Sequence, residues 1–164
     1  MRVLKLLLIS VVIFAGLILA LSLLFPSQVR ISRAIDIGVS KQKVLEDLGN
    51  LQQWQYWNDM TAKYELTNKR FSDSLFSSDQ MRVKLISMSP DAVLTSWDRN
   101  QNKSVTSGFQ LIGGENSTTV QWYFDFKLKW YPWEKFGSII FDKQLGPPME
   151  SSLTNLKKFM ENKP

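Results

Sequence analysis

The chemistry open to this 164-residue chain is narrowed first by what is missing, for it contains no histidine and no cysteine. The usual near-neutral proton shuttle and the commonest transition-metal ligand are therefore absent. Serine and cysteine triads and zinc hydrolase sites are excluded in their ordinary forms. Acid–base work would fall to Asp, Glu, Tyr or Lys, and Asp98–Arg99 and Asp125–Lys127 are the pairs to consider. Both lie in stretches where polar and apolar residues alternate, so their side chains should face solvent. Glu65 and Glu115 read as solvated positions. No catalytic residue, metal site or cofactor is expected.

Rings are abundant: six Trp, ten Phe and four Tyr. Trp122, Phe124, Phe126, Leu128 and Trp130 recur at every second position, and Trp97 and Phe109 sit in neighbouring alternating stretches. These residues can form the wall of an apolar ligand cavity or simply pack as core. Large rings on a concave sheet leave gaps, and pockets are apolar with a few polar groups. Trp54 and Trp57 guard the cavity mouth, dip into the bilayer interface, or pin the short helices to the sheet. Gly146 and Pro147 mark a second candidate gate. Trp130-Tyr131-Pro132-Trp133 reads either as an interfacial aromatic belt or as a hinge.

These side chains need a scaffold, and the spacing describes one. Val29, Ile31, Ile35 and Ile37 share one face of a first strand. Ser40 stands at the N-cap of a short helix carrying Val44, Leu45 and Leu48 and ended by Gly49. Leu51 to Asn58 forms a second short helix or turn. Strand candidates follow at Tyr64–Thr67, Ser74–Ser77, Met81–Met88, Val93–Asp98, Val105–Ile112 and Val120–Trp130. Gly113-Gly114-Glu115-Asn116 is the strongest hairpin signal. Helical spacing returns after Pro132 with Trp133, Phe136 and Ile140 near one stripe, is interrupted at Gly146-Pro147-Pro148, and resumes through Met149, Leu153, Leu156 and Met160. The pattern is an α+β domain in which a first strand, two short helices and about six further antiparallel strands are followed by one long C-terminal helix that covers the sheet.

Ahead of this domain, Leu6 to Phe25 is uncharged and apolar, closed by Pro26. Some 20 residues rising ~1.5 Å each span ~30 Å, the thickness of a bilayer core. The run exceeds the ~7–15 residues usual for a signal peptide, so an uncleaved anchor over residues 1–26 is expected, with a cleaved signal the alternative. Arg2 and Lys5 favour a cytoplasmic N-terminus and an exported domain over residues 27–164, although Arg30, Arg33, Lys41 and Lys43 flank the other end. Of 20 basic residues, Arg2 and Lys5 precede the domain, leaving 18 against 15 acidic ones. That mild excess is dispersed, which argues against a nucleic-acid partner and allows weak attraction to anionic head groups.

The order of these pieces resembles the helix-grip proteins of the START-related lipid-transfer and polyketide cyclase superfamily, in particular their membrane-anchored bacterial branch. The matching residues are Phe25-Pro26, the first strand Val29–Ile37, Val44, Trp54, Trp57, Gly146 and the terminal Met149–Lys158. The resemblance implies about seven strands around a long C-terminal helix, with an apolar cavity between them. The prolines depart from that pattern and imply a kinked or split helix. The expected function is non-catalytic binding of a hydrophobic small molecule or lipid beside the bilayer. The alternatives are a cyclase- or hydratase-like enzyme, or an interaction module with a filled interior. Fold alone does not choose among them.

Overall fold

The structure is a computed structural model and describes residues 2–24, 27–62, 65–99, 103–129, 132, 134 and 140–163. Helix α1 spans Arg2–Leu24, 23 residues long and apolar enough to cross a membrane, with side chains exposed nearly all round. Seven strands follow: β1 Gln28–Ile37, β2 Arg70–Phe71, β3 Leu75–Ser77, β4 Met81–Ser89, β5 Ala92–Arg99, β6 Lys103–Gly113 and β7 Thr118–Lys127. They form one antiparallel sheet in the order β1-β7-β6-β5-β4-β3-β2. Between β1 and β2 lie α2 Lys41–Gly49, a 3-10 turn at Leu51–Gln53, α3 Trp54–Trp57 and α4 Asp59–Ala62. The chain ends in α5, Phe141–Glu161.

Alternation decides the inner face. Ile31 and Ile37 of β1, Val93 and Trp97 of β5, Phe109 and Leu111 of β6, and Val120, Trp122 and Phe124 of β7 are buried. Their register places Phe109 opposite Trp122, Trp97 opposite Val105 and Ile31 opposite Phe124. Met149, Leu153, Leu156 and Met160 of α5 are buried against this face, as the four-three-four spacing predicts.

Helix α5 runs in the same direction as β1 and is fixed along its length. Phe141 packs on Phe126 with ring centroids 4.8 Å apart. Arg33 of β1 contacts Asp142 at 2.9 Å and Glu150 at 2.6 Å. These two carboxylates, Glu150 foremost, hold the guanidinium of Arg33 above its ordinary pKa. At the far end the Gly38 N–H donates to Glu161 Oε1 at 2.9 Å.

Three expectations are corrected. The chain from 65 to 67 is not a strand: the Thr67 N–H is taken by Gln80 Oε1 at 3.1 Å, and Asn68 turns the chain at φ 54°. Tyr64, where that strand was to begin, lies outside the described residues. Strand β7 stops at Lys127, where the Leu128 N–H donates to the Ser27 carbonyl at 2.9 Å. Helix α5 is neither split nor interrupted at Gly146-Pro147-Pro148, and runs continuously through both prolines. Proline costs a helix its donor and crowds the preceding turn, but tertiary contacts here outweigh that penalty. Trp133 and Phe136, expected on the helical stripe, lie outside the described residues.

Two glycines have specific causes. Gly113 closes the β6–β7 hairpin at φ +150°, and a Cβ there would fall 2.3 Å from the Ser117 carbonyl oxygen. Gly114 has open space around it. Gly113→Ala should destabilise the protein by about 1–3 kcal/mol, and Gly114→Ala by no more than about 0.5 kcal/mol. Urea unfolding of the detergent-solubilised chain checks the contrast. Gly146 is a seat for Arg33, whose Nη2 lies 2.3 Å from where its Cβ would be. Alanine normally gains about 1 kcal/mol over glycine inside a helix. Gly146→Ala should therefore gain less in the native protein, where the Arg33 guanidinium must shift, than in an Arg33→Ala background. The same effect in both backgrounds would refute the seat.

Candidate ligand cavity

Trp54 and Trp57 are set by two short helical turns in the space between sheet and α5. Both are buried, Trp54 at 0% and Trp57 at 1% exposure. Trp54 meets Phe109 and Trp97 with centroids 5.6 and 6.0 Å apart, and Trp57 meets Phe109 and Trp122 at 6.1 and 6.4 Å. Hydrogen bonds fix the indoles. Trp54 Nε1 donates to the Leu48 carbonyl at 3.0 Å and Trp97 Nε1 to Thr95 Oγ1 at 3.0 Å. Trp122 Nε1 donates to Ser107 Oγ at 2.8 Å, and that hydroxyl donates to the Tyr123 carbonyl at 2.8 Å. Among the described residues, Trp57 Nε1 and Asn58 Nδ2 are buried without a partner.

This arrangement divides the candidate residues. Trp97, Phe124 and Phe126 line a cavity of about 480 Å³. Phe109 and Trp122 do not: they stack on each other 5.0 Å apart, and Trp54 and Trp57 cover them. Trp54 and Trp57 accordingly stand in the interior rather than at an opening, the pinning role that was their alternative. Gly146 and Pro147 belong to a continuous helix and do not line the cavity. Trp130 lies outside the described residues.

Several lining residues were not singled out from the sequence. Val105 faces Trp97 across the β5–β6 register, and Met81 faces Arg99 across β4–β5. Phe141 and Leu145 extend the α5 stripe backward from Met149 in steps of four, a spacing that could have revealed them. Met60 and Leu66 complete the apolar wall. The polar lining is Glu65, Gln80, Asp98, Arg99 and Gln144. Glu65, Arg99 and Gln144 are exposed, so these groups mark the rim where the cavity meets solvent. Arg99 shares the parity of Trp97 and therefore lies on the inner face at the end of β5, where alternation alone suggested a solvated pair.

A second polar group is structural. Asp59 Oδ1 accepts from Asn155 Nδ2 at 2.9 Å, and its Oδ2 accepts from Ser151 Oγ. The Asp59 N–H donates to Ser152 Oγ at 2.9 Å, and that hydroxyl donates to the Pro148 carbonyl at 2.7 Å. These bonds tie α4 to α5 beside the prolines. Among the described residues no cluster of three or more carboxylates could hold a metal ion. The cavity thus offers apolar walls, a mixed-charge rim and volume within the ~300–1,000 Å³ typical of ligand pockets.

Solved structures share this architecture at low identity. A START superfamily protein from Mycobacterium smegmatis covers 80% of this chain and 97% of its own, with a TM-score of 0.56 and 14% identity. A truncated norcoclaurine synthase from Thalictrum flavum covers 84% and 96%, at TM-score 0.58 and 7% identity. CalU16 from Micromonospora echinospora covers 82% and 76%, at TM-score 0.55 and 11% identity. Likeness at this level shows the fold and leaves activity open. No curated protein sequence matches the chain. The profile of the polyketide cyclase / dehydrase and lipid transport family matches residues 28–161, and the chain belongs to that family.

Proposed function

We propose that residues 27–164 form a helix-grip domain that binds a hydrophobic small molecule or lipid without catalysis, held at a membrane by residues 1–26. The observation that carries this reading is the cavity of about 480 Å³ between β4–β7 and the first turns of α5. Its walls are Trp97, Phe124, Phe126, Phe141, Met60 and Leu145, and its polar groups gather at one rim. Burial contributes about 0.8 kcal/mol per methylene, so an alkyl chain of about ten carbons gains about 8 kcal/mol before the costs of association. Association costs of at least about 4 kcal/mol come off that gain, so a chain of this length binds more weakly than micromolar and longer chains bind more tightly. Arg2 and Lys5 ahead of the apolar run favour a domain on the extracytoplasmic side.

An enzyme of this fold would need an enclosed titratable group facing the ligand. The carboxylates available, Asp98 and Glu65, stand at the rim, Glu65 exposed and Asp98 half-buried. Water reaches them there, which favours binding over proton transfer.

Native mass spectrometry of the detergent-solubilised protein should show an amphiphile co-purifying at one per chain. The delipidated protein should take up a fluorescent fatty acid or phospholipid. Leu145→Trp, which fills the cavity from α5, should reduce uptake at least tenfold, and Ile86→Trp on the exposed surface should leave it unchanged. Failure to retain any amphiphile, or uptake indifferent to Leu145→Trp in a protein of native circular dichroism, would overturn the reading.

A further inference from the structure

Where the cavity opens relative to the membrane segment follows from strand register. Helix α1 ends at Leu24 and β1 begins at Gln28. Four Cα–Cα steps of at most ~3.6 Å keep Gln28 within ~14 Å of the end of α1. Gln28 pairs with Lys127, at the end of β7. Continuing the β6–β7 register from Thr106 opposite Asp125 places Ser104 beside Lys127, and Ser104 pairs with Asp98. Gln28, Lys127, Ser104 and Asp98 therefore form one row across four adjacent strands. At ~4.8 Å per strand, Asp98 lies ~14 Å from the point where the tether enters the sheet.

Asp98, the far member of that row, stands at the rim of the cavity. Asp98 and Arg99 end β5, Met81 begins β4 opposite Arg99, and Phe141, Gln144 and Leu145 belong to the first turns of α5. The opposite end of the sheet is covered by α2 and the end of α5, and carries a separate pocket of about 340 Å³ whose lining is largely charged, with Lys43, Glu46, Asp47 and Lys163. There the Lys41 N–H of α2 donates to the Gly114 carbonyl at 3.0 Å, Lys41 Nζ meets Asp91 at 2.6 Å, and Gly38 bonds Glu161. The interior between the two ends is filled by Trp54 and Trp57.

We propose that the cavity opens toward the bilayer in which α1 is embedded, and that it loads an amphiphile directly from that bilayer. The inference rests on the binding function proposed above and on α1 remaining as an anchor. Its ligand is a lipid whose tail enters between Phe124, Phe126 and Phe141 while its headgroup stays at the rim. The rim carries both signs, Arg99 against Asp98 and Glu65, with the amides of Gln80 and Gln144. Such a mixture suits a zwitterionic or neutral polar headgroup better than a multiply charged anion. The short tether sets the loading rate by keeping the mouth at headgroup depth.

The full-length protein contains no cysteine, so single introduced cysteines can be labelled cleanly. In phosphatidylcholine vesicles carrying headgroup nitroxides, a fluorophore on Lys127→Cys should be quenched and one on Glu115→Cys should not. A 20-residue helical spacer inserted between Ser27 and Gln28 would lift the domain by ~30 Å. Loading of fluorescent phosphatidylcholine from the host vesicle should then slow at least tenfold, while uptake from detergent solution stays unchanged. Equal loading with and without the spacer, or quenching at position 115 in place of 127, would overturn the inference and leave the binding function standing. Absence of uptake from detergent by either chain would overturn both.

Discussion

The inner face of the seven-stranded sheet presents more aromatic surface than one helix can cover, and Trp54 and Trp57 make up the difference. Each buried indole removes about 150–250 Å² from water, or about 4–6 kcal/mol at ~25 cal/mol per Å². Wedged against Phe109 and Trp122, they fill the middle of the space under α5 and confine what remains to one end. Cavity position, rim composition and the course of α5 all follow from that wedge.

The wedge depends in turn on polar groups that a hydrophobicity pattern does not reveal. Thr95 and Ser107 sit on the inner face as buried hydroxyls because Trp97 and Trp122 need acceptors for their indole N–H groups. An unmatched buried donor costs about 1–3 kcal/mol. The short turns that carry Trp54 and Trp57 are tied to α5 through Asp59, Ser152 and Asn155, and the same region holds the helix together across Pro147 and Pro148.

Function and fold meet at one sheet end. The binding reading rests on a cavity whose apolar walls and polar rim suit an amphiphile, and family membership is consistent with lipid or polyketide-like cargo without selecting either. Without histidine or cysteine an enzymatic alternative would fall to Asp, Glu, Tyr or Lys, and among the described residues the acidic groups lining the cavity, Glu65 and Asp98, stand at its rim. That rim and the tether lie at the same end of the sheet, so an apolar N-terminal helix and the pocket are related through register rather than through direct contact.

Much of the architecture was legible in residue spacing because alternation and helical period are local properties. The face of β1, the aromatic face of β7 as far as Phe126, the Gly113 hairpin and the Met149–Met160 stripe are each decided by neighbours along the chain. Tertiary contacts decided the rest. Trp122 and Phe124 are two residues apart on the same face, yet one is sealed by Trp57 and the other lines the cavity. Gly146 resembles a helix breaker until Arg33, 113 positions earlier, is seen lying across it. The sequence alone determined which faces are apolar and that an apolar helix precedes the domain. Only the folded chain decided which rings meet each other and which meet open space, because that depends on residues brought together across the sheet.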